Sequence, residues 1–493
     1  MSAIDWLSNS VATPTAMPNA LADSPFAPTE PPVTGTAAVG DVTVQSLNRP
    51  RPDGVGLLPG SVTGLPRNLW GATATQELVR LIRAARGPAL PALQDLMYTI
   101  LLAEVDPPLD ADSSGTLLMA RLDRLIELGA LDQAQALLER AGPTTPELFR
   151  LWFDVALLTG TEDRGCTTLR DIPGIAPTFS VRIFCLARNG DWPAAALTLH
   201  TAQALGYVNA FEDALLSRFL DPDLADGEPP LTPPSPISPL VFRMLEAIGE
   251  AMATTGLPQA FAHSDLRDTA GWKAQLEAAE RLGRTGAISE NRILALYTER
   301  KPAASGGIWD RVEAVQAFDA AITASDPAAV AATLPAAVGA MHHAGLVVDF
   351  AKLYGDHLAS LPLTGAVESL AFQVMLLSDG YETLAAGYRP KTPMEAFEKS
   401  IATGTPTQPP AGDALARAIT EAFAATEAPQ DYAVMLSGNR LGEAILTAIQ
   451  QLNRGASGQV SDVAEGLALL RAVGLDDVAR RVSLQLMLQE RRP

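Results

Sequence analysis

From Thr75 onward, apolar residues recur at the three- and four-residue steps that place side chains on one face of an α-helix. Leu78, Leu81 and Ile82 form such a face, in a helix that Thr75 caps and Gly87-Pro88 stops. A helix over Leu90–Glu104 follows, halted by Asp106-Pro107-Pro108, and then helices over Thr116–Leu128 and Leu131–Ala141. Pro146 opens the next, through Leu148, Leu151, Trp152, Val155 and Leu158, and Thr159-Gly160 ends it. Ser180–Arg188 pairs with Pro193–Leu205. Farther on, the same spacing predicts Trp272–Gly283 with Asn291–Arg300, a short acidic-apolar pair over Trp309–Ala324, and a last pair, Val463–Val473 and Asp477–Gln489.

Proline-rich interruptions divide this pattern. Pro229 to Pro236 reads as a stiff, extended linker, and Gly404 to Gly412 as a second break. The division gives a Pro/Thr/Ala-rich arm over 1–69, a helical block over 70–225, a linker over 226–239, a block over 240–400, a linker over 401–412 and a block over 413–493. The arm carries too little apolar surface to offset the entropy of ordering, so it is expected to be disordered. Two islands in and beside it look like docking peptides: Ala3–Leu7 with Trp6, and Leu65–Gly71 with Trp70. For Trp70 the alternative is a cap over the first helix pair.

Four joints share one signature, a glycine followed by a helix start: Gly129, Gly190, Gly286 and Gly474, with alanine five residues on at Ala134, Ala195 and Ala479 and Asn291 in the third. Glycine accepts the left-handed end of one helix, and a small residue lets the next pack closely. The signature resembles that of tetratricopeptide repeats. The resemblance implies stacked helix hairpins, and the glycines lie 61, 96 and 188 residues apart rather than at multiples of ~34. The fold expected is therefore all-α, an irregular solenoid of hairpins. The whole chain also resembles a group of bacterial proteins labelled "antifreeze glycopeptide polyprotein", on Gly64–Gly71 and Phe184–Trp192. No Ala-Ala-Thr tandem accompanies the resemblance, so it implies no ice binding.

Composition agrees with helices. The 493 residues are 47% hydrophobic but 5% aromatic, so the apolar mass is Ala, Leu and Val, and strand-forming runs are scarce. A net charge of -20, from 36 basic and 56 acidic residues, opposes binding to a phosphate backbone, and no nucleic-acid partner is expected. No segment has the ~20 apolar residues that span a membrane. Met1–Ser8 lacks the basic and apolar regions of a signal peptide, which implies the cytoplasm as written. The tether-like arm implies the periplasm if a leader was trimmed or the start is misassigned. Cys166 and Cys185 can bridge neighbouring antiparallel helices in an oxidising compartment or sit as two buried thiols.

Candidate chemistry is sparse. Neither a Gly-x-Ser-x-Gly elbow nor a phosphate-cradling Gly-x-x-x-x-Gly-Lys loop occurs. The histidines are His200, His263, His342, His343 and His357, and adjacent His342-His343 diverge on a helix rather than share a metal. His263-Ser264-Asp265 has triad-type residues, which as chain neighbours cannot form a relay with one another. Asp221–Glu228 is rich in carboxylates, yet Ala225 and Thr232 occupy positions where a calcium loop needs ligands. Lys352, Asp356 and His357, or Arg182, Arg188 and Trp192, can line a groove or form ordinary helix surface. No catalytic, cofactor or metal residue is assigned. The expected function is a non-enzymatic scaffold that presents helical surfaces to a protein or peptide. The alternatives are an exported cell-envelope protein held by a Cys166–Cys185 bridge and a carboxylate-only glycan-acting enzyme.

Overall fold

The computed structural model describes residues 51–84, 90–225 and 227–489. The protein is all-α: these residues form α-helices and short 3-10 turns, and a single isolated parallel bridge, Leu58 to Ala103, is the only β-type pairing among them. Residues from Pro50 on make one compact unit.

Several helices begin where a polar cap precedes proline. Thr145-Pro146, Ser238-Pro239, Asp326-Pro327 and Thr392-Pro393 each place a side-chain oxygen on a first-turn amide, and the proline fills a position whose amide needs no partner. The Asn209 and Glu212 side chains form a reciprocal capping box at Ala210–Leu220. Consecutive helices then pack as hairpins, most extensively Ile308–Thr323 with Pro327–Ala344, Leu441–Ala456 with Val460–Ala472, and Val347–Ala359 with Gly365–Leu377.

The hairpins also close on one another. Thr75–Ala84 packs against Leu441–Ala456, and Pro91–Leu102 against Asp476–Gln489, so the first helices of the unit lie on the last. Two hydrogen bonds fasten the closure: Gln485 Oε1 accepts the Ala92 amide at 3.0 Å, and Gln450 Nε2 donates to the Leu81 carbonyl at 2.9 Å. One apolar core accordingly unites Val55 through Phe261 with Phe372 through Met487, while Ala262 through Leu377 holds a second. A solenoid open at both ends has no such contact between its first and last repeats.

The disordered arm expected over 1–69 needs a corrected boundary. Residues 51–69 are folded, with Val55, Leu65 and Leu69 buried; the remainder of the arm, Trp6 included, lies outside the described residues. What orders this proline-rich stretch is contact made elsewhere in the chain. Leu57 and Leu58 donate to the Leu102 carbonyl, and Leu58 returns its own to Glu104. The fully buried Arg121 donates to the carbonyls of Val55 (2.7 Å), Leu101 (2.7 Å) and Ala103 (3.1 Å). A segment short of apolar residues is thus held by main-chain hydrogen bonds that the rest of the protein supplies.

Candidate interaction surface

Trp70 is not available to a partner. It is completely buried, and its ring lies so close to Gly442 that a Cβ there would stand 2.6 Å from it. The chain around it is stitched to the turn before Leu441–Ala456: Gly442 donates to the Leu69 carbonyl at 2.8 Å, and Ala72 to the Asn439 carbonyl at 2.9 Å. Leu65–Gly71 does seat its apolar side chains in a groove, but the groove belongs to the same protein. The docking role for Trp70 is overturned on this ground.

All four joint glycines have positive φ, 78° at Gly129, 83° at Gly190, 65° at Gly286 and 84° at Gly474. In each, the glycine amide bonds three residues back and the next amide five residues back, as in Ala130 to Leu125 and Leu475 to Leu470. That double bond satisfies the last carbonyls of a helix. The same closure recurs at Gly206, Gly249, Gly345, Gly404 and Gly458, and at Ser325 and Asn439, none of which carries the full glycine-and-alanine signature.

Cys166 of Glu162–Asp171 and Cys185 of Phe179–Arg188 are joined by a disulfide, with both residues buried and their Cα atoms 4.9 Å apart. Beside it, the buried Glu162 carboxylate accepts from Arg243 Nη2 at 3.0 Å and lies 3.6 Å from Arg188 Nη2. The bridge staples Glu162–Asp171 to Phe179–Arg188, and on the second of these the next hairpin, Trp192–Ala204 and Ala210–Leu220, is laid.

On that hairpin apolar side chains reach solvent. Among the described residues the most exposed large ones are Val62, Leu109, Ile172, Trp192, Leu197, Leu205, Tyr207, Leu224 and Val434. Six of these nine fall between residues 172 and 224. Trp192–Ala204 buries only Ala195, Leu199 and Ala202, at the i, i+4, i+7 spacing of a narrow inner face. Its outer side carries Leu197, Thr201 and, just past its end, Leu205, with Leu197 68% exposed. The helix holds no Asp, Glu, Lys or Arg. Tyr207 stacks on Phe179 at 5.1 Å and Trp192 leans on Phe219 at 6.4 Å, so these aromatic rings are braced by the fold while one side stays open. An exposed apolar group of this kind marks an interaction site more often than scattered single residues do.

The residues weighed for chemistry go elsewhere. His263 bonds the Gly129 carbonyl at 2.6 Å, and burial lowers its pKa. Ser264 reaches the Leu158 carbonyl and Asp265 pairs with Thr254, so the three neighbours serve three separate contacts. His343 Nδ1 lies 2.8 Å from the Gly339 carbonyl. Among the described residues no three His, Cys, Asp or Glu are placed to hold a metal. Asp221–Ala225 is a loop and a 3-10 turn in which the Asp221 carboxylate accepts the Asp223 amide.

Sequence reading missed the carboxylate of Asp349. Asp349 borders, with Glu290, Tyr297 and Phe350, a cavity of about 20 Å³, and burial pushes its carboxyl up to about 7. Glu290 and Asp95 act in the same direction, and Lys352, 3.4 Å from Asp95, opposes them. A space of that size admits one water molecule and no sugar ring. Nothing local in the sequence signals the cluster, because its members come from three distant helices. A comparison of the chain with known protein families, curated proteins and solved structures finds no match in any of the three.

Proposed function

We propose that this chain is a non-enzymatic scaffold, built of tetratricopeptide-like helix hairpins, that holds a protein partner against the surface around Trp192–Ala204. One observation carries the reading: among the described residues, six of the nine most exposed large apolar residues fall between residues 172 and 224, a stretch whose helix Trp192–Ala204 holds no charged residue. The braced rings of Trp192 and Tyr207 are the rigid aromatic anchors that dominate binding energy at such surfaces. The test is a photo-crosslinking amino acid at position 197, with position 109, the more solvent-facing of the two, as its control. A discrete adduct is expected at 197 alone, and it should disappear when Trp192 and Tyr207 are both changed to Ser. Equal labelling at both positions, or none at 197, defeats the proposal.

A second reading, that the protein works in the cell envelope, is favoured by the Cys166–Cys185 bridge, since disulfides persist in oxidising compartments. Mass spectrometry of thiol-blocked native protein decides it: two alkylated cysteines would rule that setting out.

A further inference from the structure

We infer that the partner of this surface presents a basic, amphipathic helix, an inference that rests on the interaction reading above. From residue 189 to 224 the chain carries Asp191, Glu212, Asp213, Asp221 and Asp223 against one cation, Arg218. Arg218 is buried and spent, donating to Glu250 at 2.9 Å and to the Pro229 carbonyl at 3.0 Å.

The hydrogen bonds the structure gives these carboxylates come from neutral donors. Asp191 accepts the Ala194 amide, Glu212 the Asn209 amide and side chain, Asp213 the Gln203 amide group, and Asp221 the Asp223 amide. A neutral hydrogen bond leaves the negative potential in place, whereas an ion pair would quench it. On the preceding helix, Arg188 is paired with Asp163 at 2.7 Å, and Arg182 alone does not reverse the sign of the rim.

The surface is therefore an uncharged apolar ridge set in an acidic border. Its complement is a ridge of Leu- or Phe-type residues with Lys or Arg beside it, at helical spacing, since the ridge to be matched is itself a helix. The same border opposes an anionic membrane. Charge of this kind raises association rate and selects among partners, while the apolar contact sets how long the complex lasts.

The test uses the full chain and two labelled synthetic helices with the same leucine face, one flanked by lysines and one by glutamates. Fluorescence anisotropy should show the lysine peptide binding at least tenfold tighter than the glutamate peptide at 50 mM salt. That preference should shrink several-fold at 300 mM salt and in Asp213→Asn/Asp223→Asn. Leu197→Ser/Tyr207→Ser, with an unchanged melting curve, should weaken the lysine peptide at least tenfold. If both peptides bind alike and both are lost in the Leu197→Ser/Tyr207→Ser variant, the basic partner is overturned and the surface stands. If neither binds, or that variant changes nothing, the surface itself is overturned. Tighter binding to phosphatidylglycerol vesicles than to the lysine peptide overturns a protein partner.

Discussion

Arg121 grips the main chain of Asp53 rather than its carboxylate: Nη1 lies 3.4 Å from the Asp53 carbonyl, while one carboxylate oxygen accepts the Leu118 amide at 2.8 Å. Both residues are fully buried. Burial lowers the Arg121 pKa to about 10 and raises that of Asp53, each charge easing the cost of the other. Replacing Arg121 with Met removes the donors to a set of buried carbonyls and leaves the Asp53 charge without its counter-charge. A loss of about 3–5 kcal/mol in urea unfolding is expected, with proteolysis appearing first near residues 51–58. A loss below about 1 kcal/mol would show that the guanidinium is not what holds this segment.

The joint glycines separate backbone strain from crowding. Gly190 and Gly129 have nearly the same φ, but a Cβ on Gly190 meets open space, whereas one on Gly129 would fall 2.7 Å from Leu282. Gly190→Ala is expected to cost about 1 kcal/mol, the left-handed strain alone. Gly129→Ala should cost clearly more in the same denaturation assay, and equal costs would refute the crowding.

Reduction of the Cys166–Cys185 bridge, which closes a loop of sequence separation 19, is expected to remove about 3 kcal/mol. The loss should be local at first. Hydrogen exchange measured with and without reductant should quicken across residues 162–220 before it does so at Leu441–Ala456. Uniform acceleration would contradict a local staple.

Asp349 makes stability depend on pH in a direction opposite to the usual carboxylate. Its folded value, about 7, stands above its ordinary one, 3.8, so the folded state holds a proton that the unfolded chain releases. The stabilisation is full below about pH 4 and is lost as pH rises through 7. Between pH 5 and pH 8 the wild type should lose about 2 kcal/mol more than Asp349→Asn, after allowance for partial solvent access. Buried His263, held below its ordinary value, pulls the other way in both proteins and cancels in the difference. Parallel pH profiles for the two would dismiss the Asp349 contribution.

The features that were readable in the sequence are those whose cause is local. A Gly129 or Gly474 closure is complete within six residues, and a Thr145-Pro146 start within four, so both can be read from the sequence. Trp70 could not be placed, because its seat at Gly442 lies at the far end of the chain. Arg121 looked like any arginine on an amphipathic helix, since main-chain carbonyls leave no signature in a sequence. Close helix contacts were hidden for a related reason: Gly466 matters only because Leu452 sits where its Cβ would be, 2.6 Å away. The interaction surface was half legible. The absence of charge from Trp192–Ala204 is plain in the sequence, but which of its apolar residues lack neighbours depends on what the fold leaves uncovered.

The clasp of Leu69–Ala72 onto Asn439–Gly442 sets an order of events during biosynthesis. The leading half of the clasp leaves the ribosome several hundred residues before its receptor exists, and until then Leu69 and Trp70 lack the cover that Asn439–Gly442 gives them. Hairpins in between can form as they emerge, yet the joining of first helices to last waits until Leu441–Ala456 and Asp476–Gln489 have been made. A nonsense truncation anywhere before Gly442 therefore strips the Trp70 indole of that cover, far in sequence from the lesion, a ready mark for chaperones and proteases.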